Sequence, residues 1–228
     1  MNEAFERLIP LYGTKAINQL KDKTILVIGL GGVGAMALEA LVRMGVGRFI
    51  LSDGDVVQKS NLNRQLFALH STLDKPKVEV AKARMLDINP EVKIETKATN
   101  YSANTHAWLE GQIDFVLDCF DDYRMKVDLI QACKKRDIKS LHVVGAGFRV
   151  RADQAKIGDL FEMTHDKLAS KMRKLLRKAG IEKDVCVVYS QEPINRAPDF
   201  KQIASSPFTP PSLGLLAAQA TVETLLKE

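Results

Sequence analysis

Immediately after the apolar run Ile25-Leu26-Val27-Ile28 the chain reads Gly29-Leu30-Gly31-Gly32-Val33-Gly34, a G-x-G-x-x-G turn, and Asp53 stands nineteen residues beyond Gly34. That pattern binds nucleotides. Glycines let the backbone turn sharply and approach phosphate, the helix opening there offers unpaired N–H groups and partial positive charge, and the acid after the next strand bonds ribose hydroxyls. Nicotinamide and flavin enzymes share this much. The downstream residues separate the readings: Asp53-Gly54-Asp55, Ser60-Asn61-Leu62-Asn63-Arg64-Gln65, Lys75-Pro76-Lys77 and Asp118-Cys119-Phe120-Asp121-Asp122. A hydride-transfer site has no use for a second aspartate with Arg and Lys on the adjoining segment, whereas a triphosphate site does. Asp55 and Asp118 can hold Mg²⁺ through oxygen ligands, and Arg64 and Lys77 can neutralise charge on a leaving pyrophosphate. Asp121 and Asp122 stay open, because acids there also favour the start of a helix.

These residues need a scaffold of alternating strands and helices. Short β-branched runs at Thr24 to Ile28, Arg48 to Ser52, Val92 to Thr96, Phe115 to Asp118 and Leu141 to Val144 predict strands. Between them Val33 to Met44, Lys77 to Ile88, Tyr123 to Arg136 and a shorter stretch around Asn104 to Glu110 predict helices. The fold class is therefore α/β: a Rossmann-like, mostly parallel central sheet flanked by helices. After Gly147 the alternation weakens to a strand (Gln154 to Ile157), a basic helix (Asp166 to Ala179) and another strand (Val185 to Tyr189). A Pro-rich crossover loop, irregular and mobile, is expected from Gln191 to Pro211, and a closing helix from Ser212 to Lys227 with Ser212 as N-cap. The 228 residues make one domain, with residues 1–147 as its ATP-binding part and 148–228 as a C-terminal, substrate-side extension of the sheet.

At 46% hydrophobic and 27% charged residues, the composition excludes disordered, collagen-like and coiled-coil classes. The longest nearly apolar run, Ile25 to Leu38, is 14 residues and carries four glycines, too short to span a bilayer. Acids in Met1-Asn2-Glu3-Ala4-Phe5-Glu6 stand where a signal peptide has a basic head, which places the protein in the cytoplasm. Cys119, Cys133 and Cys186 are an odd set with no C-x-x-C pair, so neither a disulfide framework nor a structural zinc site is expected. Cys186, in a predicted strand, reads as buried rather than nucleophilic.

Taken together, these motifs resemble the ubiquitin-activating-like adenylyltransferase superfamily, which includes molybdopterin-synthase and thiazole-biosynthesis adenylyltransferases. The likeness rests on the Gly-rich turn, the Asp-x-Asp followed by Ser-Asn-x-x-Arg-Gln, Lys77 thirteen residues after Arg64, and Asp118 at the fourth strand's end. The resemblance implies an ATP site built from Gly29, Gly31, Gly32, Gly34, Asp53, Asp55, Asn61, Arg64 and Lys77, with Asp53 on the ribose. It also implies Asp55 and Asp118 near Mg²⁺, and a homodimer in which Arg7 of one copy reaches the ATP of the other. Arg7, Arg64, Lys77 and Asp118 are the catalytic candidates on that basis.

Such a site activates a carboxylate, which is already ionised and needs no general base, so the protein's task is positioning and charge stabilisation. Members acting on ubiquitin-like or sulfur-carrier proteins often carry a reactive cysteine before the last helix; here Ser205-Ser206-Pro207-Phe208 stands there. Leu11-Tyr12-Gly13, Val144-Gly145-Ala146-Gly147, Ile157-Gly158-Asp159-Leu160 and Tyr189-Ser190-Gln191-Glu192-Pro193 resemble the threonylcarbamoyladenosine dehydratase branch. That likeness implies adenylation of the threonylcarbamoyl carboxylate beside a tRNA anticodon, followed by attack of its own ureido group. An intramolecular nucleophile with an effective molarity of about 10⁵ M or more requires no enzyme thiol. The stretch 167–178 holds six basic residues and no acid. At helical spacing Leu168, Met172, Leu175, Leu176 and Ala179 form an apolar stripe, leaving Lys167, Lys171, Arg173, Lys174, Arg177 and Lys178 for tRNA phosphates. Two other readings stay open: activation of a small carrier protein's C-terminal carboxylate with a sulfur-transfer partner, and a module that only binds nucleotide.

Overall fold

In the computed structural model, which describes residues 3–163, 167–194 and 203–227, seven strands form one sheet. They are Thr24–Ile28 (β1), Arg48–Ser52 (β2), Lys93–Lys97 (β3), Phe115–Asp118 (β4), Ser140–Val144 (β5), Ala155–Asp159 (β6) and Cys186–Ser190 (β7). Each expected strand is present, shifted by at most two residues. The spatial order is β3-β2-β1-β4-β5-β7-β6, parallel except for the antiparallel β6–β7 pair at one edge. The residues of β1 and β4 are buried throughout, as apolar runs covered on both faces must be. In the register, Ile28 lies beside Ser52 of β2 on one side and Asp118 of β4 on the other. The carboxyl ends of three strands are thus level, and the chain departs in opposite directions from β1, the arrangement that opens a ligand crevice in such sheets.

Helices Ile9–Lys21 (α1), Gly32–Arg43 (α2), Lys77–Ile88 (α3), Tyr123–Lys135 (α4), Lys167–Lys178 (α5) and Thr209–Leu226 (α6) flank the sheet. On one face Leu38 and Leu41 of α2 meet Leu213 and Ala217 of α6, all fully buried. On the other, Leu129 and Cys133 of α4 pack with Leu26, Tyr101 and Leu109. The turn into α2 is tight enough to dictate its residues. Gly29 has φ +88°, and a Cβ there would lie 2.8 Å from the Phe120 nitrogen; one on Gly34 would lie 1.8 Å from the Gly29 carbonyl oxygen.

Local rules were overridden in four places. The N-terminal segment, with no helix expected, forms a 3-10 turn over Glu3–Leu8 and then α1, which accommodates Pro10 in its first turn and breaks its helical geometry at Gly13. The stretch before β4 winds as 3-10 helix, Ala103–Glu110. The last helix begins at Thr209, so Pro210 and Pro211 fill its first turn, where their missing N–H groups would have no partner in any case. Ser212 is inside the helix, its hydroxyl donating to the Thr209 carbonyl at 2.9 Å rather than capping. In α5 the buried stripe is Ala169, Met172 and Leu176, while Leu175 and Ala179 are exposed. The centre of the expected loop, 195–202, and residues 164–166 lie outside the described residues.

Arg173 is the second correction on α5. Its Nη1 donates to the Leu160 and Met163 carbonyls at 2.9 and 2.8 Å, pinning the helix to the turn after β6 rather than facing water. Gly34→Ala should cost about 1–3 kcal/mol or more through overpacking, read as a fall in Tm of roughly 2–4 °C per kcal/mol, while Gly31→Ala leaves the fold intact. Arg173→Ala should cost about 1–3 kcal/mol by orphaning two carbonyls, against less than about 0.5 kcal/mol for Lys174→Ala; denaturant titration of both separates the pinned residue from the solvated one.

Candidate active site

At the level carboxyl ends of β1, β2 and β4 lies a cleft of about 440 Å³. Its floor is the Gly29–Gly31 turn, and its walls carry Asp53, Asp55, Asn61, Arg64, Lys77 and the segment Cys119–Asp122. Asp53, 7% exposed, accepts from the Leu30 N–H at 2.7 Å through Oδ2 and from the Asp55 N–H at 2.9 Å through Oδ1. A carboxylate has about four lone-pair sites, so these two bonds leave acceptor capacity for ribose hydroxyls. Lys77, the first residue of α3, is buried, with Nζ 2.8 Å from Asp55 Oδ2 and 3.8 Å from Asp53 Oδ2. Its ammonium is held at the cleft by these two acids, which keep it aimed.

Asn61 Oδ1 accepts from the Gln58 N–H at 3.0 Å and closes the 3-10 turn Lys59–Asn61, so that residue shapes the wall as well as lining it. The same segment delivers Arg64, whose Nη1 donates to the Ser60 carbonyl and to Asn63 Oδ1, each at 2.8 Å. Both bonds use one nitrogen of a five-donor fork, leaving the others for phosphate oxygens. Two cations and two glycines thus surround a space rimmed by Asp55, Asp121 and Asp122. That balance suits a polyanion accompanied by a divalent cation.

Asp118 does not belong to this wall, which corrects both its catalytic and its metal assignment. The carboxylate is fully buried, with Oδ1 2.6 Å from Lys126 Nζ and Oδ2 2.8 Å from His142 Nδ1. At the last position of β4 it is sealed from the cleft and is not among its lining residues; three residues further on, the exposed Asp121 is. By sequence Asp121 fits either the cleft or a helix cap, and the structure gives the cap to Asp122, which accepts from the N–H groups of Arg124 and Met125. Gln65, Asn100, Tyr101, Phe120 and Met125 also line the cleft. Gln65 and Phe120 stand inside the motifs already quoted, whereas no spacing signal marks Asn100, Tyr101 or Met125, which reach the cleft from other segments.

The three thiols are poor nucleophiles here. Burial, then the neighbouring Asp118, pushes Cys119 far above the ordinary thiol range, and burial pushes Cys133 up to about 12. Cys186 is exposed at the start of β7, contrary to expectation, yet crowding by its neighbours and then Asp159 hold its pKa above the usual value. Arg7 is exposed on the first 3-10 turn and lines no part of its own chain's cleft. On α5, Lys171, Lys174, Arg177 and Lys178 are exposed. Lys171 Nζ lies 5.6 Å from the ring centroid of Tyr123, the residue that follows the cleft residues Asp121 and Asp122 in the chain. Among the described residues no helix is long and apolar enough to cross a membrane, and no group of three His, Cys, Asp or Glu side chains is placed to hold a metal.

Comparison with known proteins finds relatives along the whole chain. The chain is 36% identical over 245 residues to a Bacillus subtilis tRNA threonylcarbamoyladenosine dehydratase, covering 100% of this chain and 96% of that protein. Crystal structures of the Escherichia coli tRNA N6-threonylcarbamoyladenosine dehydratase, one with AMP and one with ATP, superpose with a TM-score of 0.93 at 30% identity, covering 99% of this chain and 94% of theirs. A Bombyx mori ubiquitin-like modifier-activating enzyme 5 is 34% identical over 151 residues, 59% of this chain and 38% of that protein. The sequence profile of the ThiF family matches residues 5–227. The chain belongs to the ThiF family.

Proposed function

We propose that the protein binds ATP in this cleft, adenylates the carboxylate of N6-threonylcarbamoyladenosine next to a tRNA anticodon, and drives its cyclisation with release of pyrophosphate and AMP. The observation that carries the reading is the cleft itself: Arg64 and Lys77 face acids across a Gly-rich helix start, in a chain colinear with the Bacillus subtilis dehydratase. The ionised carboxylate attacks the α-phosphorus and expels pyrophosphate, whose growing charge Arg64 and Lys77 neutralise. An atom of the ureido group then attacks the acyl carbon and closes a five-membered ring. AMP leaves with one carboxylate oxygen, so the nucleoside loses the elements of water. Every nearby thiol is held protonated, and the ring closure needs none.

Asp55 and Asp121 are the two cleft carboxylates that would hold Mg²⁺ together with phosphate oxygens, and the ion would supply charge neutralisation there. A homodimer is part of the reading, because Arg7 is exposed, remote from its own cleft and available to a second copy's. The exposed cations of α5 would track tRNA phosphates beside the cleft, and a tRNA substrate sets the cytoplasm as the working compartment. Activation of a carrier protein's C-terminus, with a sulfur-transfer partner, is the second reading; the partial likeness to the Bombyx mori enzyme favours it.

Lys77→Ala and Arg64→Ala should lower tRNA-dependent AMP release by about 100-fold or more while circular dichroism stays unchanged. Wild-type turnover in either variant would remove its phosphate role. Reversing charge at Lys174, Arg177 and Lys178 should weaken tRNA binding by about tenfold or more and flatten its salt dependence by roughly 0.7–0.9 per lost contact, with ATP affinity unaltered. Unchanged tRNA binding would make this helix a solvated face only.

A further inference from the structure

Beneath the cleft wall lies a charged cluster to which the reaction assigns no step. Asp118 is 0% exposed, and Lys126 and His142 are each 1% exposed. Besides its contacts with Lys126 and His142, Asp118 Oδ1 accepts from the Phe120 N–H at 3.3 Å. Ser140 Oγ stands 3.0 Å from His142 Nε2. Both ring nitrogens of His142 are thus engaged, Nδ1 with Asp118 and Nε2 with Ser140, and the Lys126 amine is the lysine partner of the buried carboxylate. Replacing such pairs by apolar residues is often neutral or stabilising, which makes stability a weak reason for this one.

Its connections point at the cleft. Lys126 Nζ lies 4.9 Å from the Phe120 ring centroid, and Phe120 stacks on Tyr101 with centroids 6.0 Å apart; both rings line the cleft. The Lys126 N–H bonds the Asp122 carbonyl at 2.9 Å, and the Cys119 N–H bonds the Ile28 carbonyl at 2.8 Å. The segment 119–122 is therefore tied at both ends, with the lysine under its middle. It is also the segment that turns Asp121 toward the cleft.

We propose that Lys126 is a positioning residue for nucleotide binding. Its ammonium cancels the Asp118 charge below a site that must admit a triphosphate, and it fixes the Phe120–Asp121 wall against which the nucleotide seats. This inference rests on the nucleotide reading of the cleft. Loss of the lysine leaves a buried anion beneath a cleft already lined by Asp55, Asp121 and Asp122, and frees the wall. The effect falls on ATP binding more than on the chemical step, because Lys126 touches no reacting atom.

The test is calorimetric ATP binding, with kcat and KM for ATP from tRNA-dependent AMP release and Tm as a check on folding. Lys126→Met should raise the ATP Kd and KM by at least about tenfold, with kcat at saturating ATP falling several-fold less, and Lys126→Arg should recover most of the affinity. A folded Lys126→Met protein with unchanged ATP Kd overturns the proposal. Should that variant fail to fold, the uncharged pair Asp118→Asn/Lys126→Met decides, since it buries no lone charge; it too should bind ATP at least about tenfold more weakly, and unaltered affinity overturns the proposal. Absence of ATP binding in the unaltered protein is a different failure, that of the nucleotide reading.

Discussion

The carboxylate of Asp53 joins the separate pieces of backbone from which the cleft is made. One oxygen holds the Gly-rich turn through the Leu30 N–H, the other holds the exit of β2 through the Asp55 N–H, and the Lys77 ammonium comes to 3.8 Å. Phosphate recognition by backbone N–H groups depends on a turn that does not drift, and the turn here is braced by a buried charge that is itself satisfied. The register makes this possible by placing the last residues of β1, β2 and β4 side by side. The steric fit of Gly34 against the Gly29 carbonyl then fixes how closely α2 follows β1.

On that frame the cleft divides its labour between layers. Groups meant for ligand, Arg64, Lys77, Asp55 and Asp121, line the cleft with donor or acceptor capacity to spare. Groups that hold the wall, Asp118, Lys126 and His142, are sealed beneath it and spend their polar atoms on one another, on Ser140 and on the Phe120 N–H. The buried ion pair is costly to desolvate, and it lies where misplacement of one turn would be felt by a bound nucleotide. Beyond the cleft, the extension carrying β6, α5 and β7 adds its own small core of Leu160, Met172, Leu176 and Val187, and sets Lys171 over Tyr123.

Much of this is legible in the residue order. β-branched runs mark the first five strands, and the G-x-G-x-x-G turn with Asp53, Arg64 and Lys77 marks the cleft, because those features depend on local sterics and on a fixed spacing along the chain. The features that escape a sequence reading depend on partners distant along the chain. Whether Asp118 faces the cleft or the core is decided by Lys126 and His142, eight and twenty-four residues away. Arg173 reads as a wet-face cation until the carbonyls of Leu160 and Met163 claim it. The first helix is hidden by Pro10 and Gly13, which local propensity counts as breakers and which the structure accommodates at a helix start and at a kink.

If a tRNA-borne carboxylate becomes an acyl-adenylate in this cleft, one of its oxygens must leave on AMP, and tracing that oxygen is the most direct measurement. Threonylcarbamoylated tRNA carrying ¹⁸O in both carboxylate oxygens, incubated with the protein, ATP and Mg²⁺, should yield AMP bearing one ¹⁸O and a cyclised nucleoside retaining the other. AMP without label, or a nucleoside that keeps both heavy oxygens while ATP is consumed, would contradict it.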